Sequence, residues 1–358
     1  MKAQSTVLLV GAGHTHLHVI TRAAKLRRAG LQVTLIAPAT FHYSGLATAV
    51  ATGTMPSEAA TIDVRRLAAR FGVHHLEGQA IGCDPGRREV TLEDGRRVRY
   101  DVVSFNIGSV AATGNLDVAA GVATVKPFDQ LFTFSRWIAA TDPRRRVRVS
   151  VVGGGPTRLE LAGQLAARLG SRAAVTLFER GQQPGGGLPA GARRRAVRVL
   201  ERRGVVLRTR SDVQGAYPDH LVVDGGRLDH DAIVLAIGLT ATPFPTLGDA
   251  RGIPVRDTLQ HVDHDEVYAV GDCADFTPQP LPKLGVYGVR QGPVLERSLL
   301  ARQAGRPLPT YRPQRRALQI LDLGGGTALA TRGRWWAENP TMQRLKLRID
   351  HRWLGRYR

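Results

Sequence analysis

Two copies of one pattern predict an α/β protein built from two nucleotide-binding units, one inserted in the other. The first copy is an apolar run, Thr6–Val10, then a glycine turn, Gly11-Ala12-Gly13, a helical stretch and a second apolar run, Leu31–Ala37. The second copy runs from Arg146–Val152 through Gly153-Gly154-Gly155 and a helical stretch, Leu159–Leu169, to Ala173–Phe178. The third observation is a pair of like endings. Tyr100–Gly108 and Asp231–Gly238 each carry an acidic residue, a buried-strand run and a closing glycine. Such strands can return the chain from one unit to the other.

Each element has its own signal. Leu17–Arg28 has apolar residues at helical spacing and ends on Arg27, Arg28 and then Gly30, as helix C-termini prefer. Val73–Ile107 is strand-rich, with a hairpin turn at Glu93-Asp94-Gly95. Val205–Ile237 repeats this with Asp224-Gly225-Gly226. Glu266–Val270 reads as a further strand, followed by Gly271-Asp272. The tail differs. From Arg332 to Arg358, eight Arg/Lys face only Glu338 and Asp350, with Trp335, Trp336, Trp353 and Tyr357 interleaved. The expected division is 1–110 and 238–310 for the first domain, 111–237 for the inserted one, and 311–358 for a short C-terminal segment.

Composition narrows the class. At 358 residues and 43% hydrophobic content, the chain can bury two cores and is too apolar for disorder. No apolar stretch reaches the ~18 residues of a spanning helix, and no signal peptide is evident, so a cytoplasmic protein is expected. The net charge is +20, but only 5 of 50 basic residues are lysine. That bias points to an Arg-rich coding background, and no nucleic-acid-binding motif accompanies it, so no nucleic-acid partner is expected. Cys83 and Cys273 are isolated from each other, which excludes a CxxC pair and predicts two small buried residues.

Both glycine turns suit a dinucleotide. A glycine turn at a strand end lets backbone N–H groups and a helix N-terminus meet a pyrophosphate. Both turns lack the third glycine of the pattern: His16 stands there in the first and Arg158 in the second. The first unit also ends its second strand on Ala37-Pro38, without the usual acid. The second ends on Glu179, whose carboxylate can accept both ribose hydroxyls and would repel a 2′-phosphate. NADH is therefore expected over NADPH, with Arg180 next door tempering the preference and Arg158 threatening to obstruct the turn. His14 and His18 share a helix face, but no third ligand is evident and no metal is expected.

With these residues in view, the chain resembles the two-dinucleotide-binding-domain flavoproteins of the pyridine nucleotide-disulfide oxidoreductase superfamily. Within them it looks like type II NADH:quinone oxidoreductases, and closer still to the NADH-dehydrogenase-like flavoproteins sometimes fused to selenophosphate synthase. The segments that carry this are Gly153–Glu160, Tyr268–Ala274 and Pro282–Gln291. The resemblance implies two Rossmann-like domains, with the NADH domain inserted in the FAD domain. It implies that Gly11, Gly13, His14 and Thr15 cradle the FAD pyrophosphate, and that Ala80 lies by the adenine. Tyr43, Ser44 and Gly45 would lie by the isoalloxazine and Asp272 at the ribityl chain, with Gly108, Gly271 and Gly285 completing the FAD set. Gly153, Gly155, Pro156, Thr157, Glu179 and Gly238 would serve NADH. Glu160 would sit beside the nicotinamide, and Gln291 would line the quinone side.

The implied activity is FAD-dependent NADH oxidation, with hydride passing to FAD and electrons then to a quinone-like acceptor. Two alternatives stay open: another acceptor, as in sulfide:quinone oxidoreductases, or a non-catalytic nucleotide sensor with its NADH site closed by Arg158. The tail also reads two ways. Its Trp and basic residues suit a membrane surface, with Arg344, Lys346, Arg348 and Arg352 meeting anionic head groups. Equally, it can be a helix docked on its own protein or on a dimer mate.

Overall fold

The computed structural model describes residues 4–358. Its two main sheets are alike. In the first, β1 (Ser5–Val10) is followed by a helix, α1 (His14–Thr21), and then by β2 (Leu31–Ile36). The helical stretch expected to Arg28 breaks at Arg22 and resumes over Ala23–Arg28. β3 (Val102–Phe105) pairs with β1 on its other side. In the second sheet, β4 (Val147–Val152), α2 (Pro156–Leu169), β5 (Ala173–Glu179) and β6 (Ala232–Leu235) repeat this arrangement. The last strand of the first sheet, β7 (Val267–Ala269), comes from beyond the second sheet and pairs with β3.

Both sheets have five strands, and every pairing in them is parallel. Parallel sheets are covered on both faces, which explains why Val7, Leu8, Leu9 and Val10 are all buried instead of alternating. The chain crosses between the sheets on two short strands, Ser109–Ala111 and Leu239–Ala241, paired antiparallel. These lie at the two strand-glycine endings seen in the sequence. Both hairpin turns also form: Glu89–Leu92 pairs with Arg97–Arg99, and His220–Val223 with Gly226–Asp229.

After the long helix α3 (Gly285–Gln303), the tail folds as a three-stranded antiparallel sheet over 319–339 and a closing helix, α4 (Pro340–Leu354). Asn339 caps α4 by accepting from the Met342 N–H. The tail sheet rests on α2, where Gly163 leaves room for the Leu323 carbonyl. Among the described residues, no helix is long and apolar enough to cross a membrane.

Candidate functional site

The first glycine turn is tight. Gly11 has φ +86°, and a Cβ on it would lie 2.5 Å from the Asn106 carbonyl oxygen. Asn106, at the end of β3, also does what no residue of the turn does. Its Oδ1 accepts from the N–H groups of Thr15 (3.1 Å) and His16 (3.3 Å), and its Nδ2 donates to the Val270 carbonyl (2.8 Å). One side chain thus caps the start of α1 and ties it to the segment that leads into Gly271-Asp272.

His16 turns inward under the loop and is fully buried. Burial pushes it down to about 4, so it is neutral at pH 7. Its Nδ1 lies 2.6 Å from the Gly11 carbonyl, an obligate acceptor, so Nδ1 carries the proton. Nε2 then accepts from the Ser104 hydroxyl at 2.9 Å. The missing third glycine is therefore replaced by a buried prop for the turn. Thr15 is buried too, its hydroxyl donating to the Gly288 carbonyl at 2.6 Å. It braces α1 against α3.

A groove of about 470 Å³ runs along the carboxyl ends of the first sheet. Gly11, Gly13, Thr40, Ala80, Gly108 and Lys126 line it. Lys126 and Ser109 were not found by sequence reasoning. Lys126 Nζ donates to Asp272 Oδ2 (2.9 Å) and Ser109 Oγ donates to the same oxygen (2.7 Å). Burial would raise the Asp272 carboxyl, but Lys126 and Ser109 outweigh it and hold the group below its ordinary range. Gln291 is 1% exposed and accepts from the Gly271 N–H at 2.6 Å.

The second turn repeats the first only in part. Gly153 has φ +151° and presses on the Ala236 carbonyl, as Gly11 does on Asn106. α2 starts at Pro156 and Thr157 behind Gly155, a cap position without a side chain. The expectation of a free Glu179 carboxylate is corrected here. Arg158 is fully buried and its Nη2 donates to Glu179 Oε2. Glu179 Oε1 accepts from the Gly181 N–H at 2.6 Å. Among the described residues, Arg158 Nε and Nη1 are buried without a partner. Burial lowers the Arg158 pKa, against the pull of Glu179.

The two units meet at a smaller cavity of about 350 Å³. The first unit brings His14, Ser44 and Gly45; Gly285 comes from the start of α3; the second unit brings Glu160. The tail supplies the rest: Lys346, Asp350 and Trp353 of α4. Lys346 Nζ donates to the Gly45 carbonyl (2.5 Å) and to Asp350 (2.9 Å), while Tyr43 Oη donates to Asp350 (2.9 Å). The Tyr43 and Trp353 rings stack at 4.4 Å. Burial pushes Glu160 up to about 7, moderated by Lys346 and by the Asp322 N–H, which donates to Oε1 at 2.9 Å. A carboxyl balanced near neutrality in a cleft is suited to proton transfer.

The tail's expected headgroup contacts are therefore corrected in part. Lys346, Trp353 and Tyr357 face the protein. Arg344, Arg348, Arg352, Trp335 and Trp336 remain on the exposed side. Both cysteines are buried, and burial pushes the Cys83 thiol up to about 11.

Two parallel sheets each carry a glycine turn, and the helices that follow those turns bring His14 and Glu160 to one cleft, the architecture of a dinucleotide-binding α/β protein. The family model for pyridine nucleotide-disulphide oxidoreductases matches residues 5–292, and the chain belongs to that family. It is 24% identical over 265 residues to ferroptosis suppressor protein 1 of Taeniopygia guttata, covering 68% of this chain and 67% of that one. It is 26% identical over 217 residues to type II NADH:quinone oxidoreductase of Haemophilus influenzae, covering 54% of this chain and 49% of the relative, about half its length. The sulfide:quinone oxidoreductase of Aquifex aeolicus has the same fold, with TM-score 0.85 over 99% of this chain and 91% of that one, at 15% identity. The family implies FAD and a nicotinamide dinucleotide.

Proposed function

We propose that the protein oxidises NAD(P)H through FAD and passes the electrons to a quinone-like acceptor. One observation carries this reading. Residues of the first unit (His14, Ser44, Gly45) and Glu160 of the second line a single cleft. That is the arrangement a hydride transfer between two bound dinucleotides requires.

FAD fits the first unit. The groove, the glycine turn and the ionised Asp272 offer close backbone approach and an acceptor for hydroxyl groups. When bound, FAD supplies hydride acceptance and onward electron transfer. Gly11, Gly13 and the His14 end of α1 would hold the pyrophosphate, Ala80 would serve the adenine, and Asp272, supported by Gly108 and Gly271, would hold the ribityl chain. His14, pushed down to about 4 mainly by burial, stays neutral beside it. Glu160 holds or releases a proton at its carboxyl, and Lys346 keeps it from rising further. Gly153, Gly155, Pro156, Thr157 and Gly238 frame the nicotinamide dinucleotide. With Glu179 already paired to Arg158, its carboxylate no longer favours NADH over NADPH, and either can be the donor.

The names of two relatives include a quinone acceptor, and this supports the same acceptor class here. Sulfide chemistry is disfavoured because both cysteines are buried. The exposed Trp335, Trp336 and arginines leave a peripheral membrane contact, or a dimer contact, as the tail's outer role. One observation favours the sensor reading: Arg158 sits on the ribose carboxylate. Anaerobic mixing of the FAD-loaded protein with NADH, NADPH and then a quinone series tests the choice. Flavin bleaching followed by quinone-dependent recovery is expected. Dinucleotide binding without bleaching would support the sensor instead.

A further inference from the structure

We propose that Arg158 sets the dinucleotide specificity of the second site, cancelling the Glu179 charge and offering its free N–H groups to the 2′-phosphate of NADPH. The proposal rests on the reading of that site as a nicotinamide dinucleotide site.

The position is the first argument. Arg158 lies in the first turn of α2, directly after the Gly153–Gly155 turn, and reaches Glu179 at the end of β5. Its Nη1 is the nearest side-chain atom to Gly154: a Cβ there would sit 3.8 Å from it. The guanidinium therefore spans the gap between the phosphate turn and the ribose carboxylate. In dinucleotide folds the adenosine ribose enters between those two features.

The donors are the second argument. Guanidinium nitrogens only donate, and a buried donor wants an acceptor. Arg158 has Nη2 satisfied by Glu179, while Nε and Nη1 are buried with no partner. An anion with several acceptor oxygens completes this side chain in a way that a ribose hydroxyl cannot. Guanidinium–phosphate pairing is also geometrically favoured, through parallel N–H···O bonds.

The local charge is the third. Glu179 would repel a 2′-phosphate if it were free. Here both its oxygens are committed, one to Arg158 and one to the Gly181 N–H. Each oxygen keeps a second lone pair for a hydroxyl, but the charge that would turn a 2′-phosphate away is paired with Arg158. Charged side chains near the strand end include Arg180, beside Glu179, Arg208, over the Phe178 ring, and Arg210, whose N–H donates to the Gly181 carbonyl; the exposed acid Asp212 follows Ser211, whose N–H donates to the Glu179 carbonyl. The three arginines are exposed and outnumber Asp212, so the rim is positive on balance.

The test uses the FAD-loaded protein and the oxidised dinucleotides, so that binding is read without turnover. NAD+ and NADP+ are titrated calorimetrically into wild type, Arg158→Gly, Arg158→Lys and Glu179→Gln. Wild type is expected to bind NADP+ at least as tightly as NAD+. Arg158→Gly should shift the NADP+/NAD+ preference toward NAD+ by roughly tenfold or more. Arg158→Lys should keep part of the NADP+ preference. Glu179→Gln, which retains Arg158 and tests the idea if the glycine variant folds poorly, should leave NADP+ binding intact and weaken NAD+. A wild type that binds NAD+ roughly tenfold tighter overturns the proposal. So does an Arg158→Gly variant that gains affinity for both ligands equally, since Arg158 is then only a plug. If neither dinucleotide binds wild type or Arg158→Gly, the dinucleotide reading of the site fails with it.

Discussion

Arg158 and Glu179 form a buried ion pair that joins the first turn of α2 to the last residue of β5. The pair stands where the sequence pattern has a glycine and a free carboxylate. Removing one member of a buried pair costs more than the pair is worth, because the other charge stays behind. Arg158→Ala should therefore lower unfolding stability by roughly 3 kcal/mol. Changing both residues to leucine should cost clearly less than the sum of the single changes. Denaturant titration with FAD at saturation measures this. Additive single losses would show that the pair is not energetically coupled.

Glu160 predicts a pH dependence. Its folded pKa, about 7, is raised from an ordinary 4.5, chiefly by burial. The folded protein thus binds the extra proton between these values. The stability this contributes is present below pH 4.5 and lost as pH rises through about 7. Glu160→Gln should accordingly gain stability over wild type as pH rises from about 5 to 8, by about 2–3 kcal/mol. The turnover profile should lose its inflection near pH 7 in this variant. Lys346→Met should move the wild-type inflection upward, since the cation that opposes burial is gone. An unmoved inflection would assign that titration to another group.

Asn106 predicts coupled loss of stability and cofactor. Asn106→Ala strips the cap from the Thr15 and His16 N–H groups and releases the Val270 carbonyl. A cost of about 2–3 kcal/mol is expected from the lost cap and bonds. FAD should dissociate faster, because the glycine turn and Gly271-Asp272 are no longer held to one another. Thermal unfolding and flavin-release kinetics give both readings. Normal FAD retention would limit Asn106 to a capping role.

His16 predicts a failed repair. Restoring the pattern with His16→Gly removes the bonds to Gly11 and Ser104 and leaves a void under the turn. The variant should be destabilised by roughly 2–4 kcal/mol. A stabilised variant would mean that the histidine strains the turn.

The sheets were legible in the sequence because their signals are local. Apolar runs, glycine turns and the paired strand-glycine endings each act within a few residues. Both hairpin turns and the burial of both cysteines were read for the same reason. The directions of His16 and Arg158 were not legible: spacing gives a residue's place on a helix, not the partner it reaches across the fold. Asn106 shows the same limit, since its three bonds span up to 164 residues. The tail's aromatic and basic pattern suited a surface, and only the fold shows that Lys346 and Trp353 lie on its inner side. Lysine usage carries a further signal. In a chain with 45 arginines, each described lysine makes an internal contact: Lys25 to Glu296, Lys126 to Asp272, Lys283 to two carbonyls and Lys346 to Asp350. Where arginine is the default cation, the retained lysines mark places that need a compact one.

The most direct test of the account is the colour of the protein and its response to a nicotinamide donor. Purified protein, reconstituted with FAD if necessary and kept free of oxygen, is titrated with NADPH and NADH while the flavin absorbance is followed. A yellow protein is expected, whose flavin bleaches with one equivalent of donor per bound FAD. A protein that stays colourless after incubation with FAD would contradict the first unit's role, and a bound flavin that neither donor reduces would contradict the catalytic pairing of the two units.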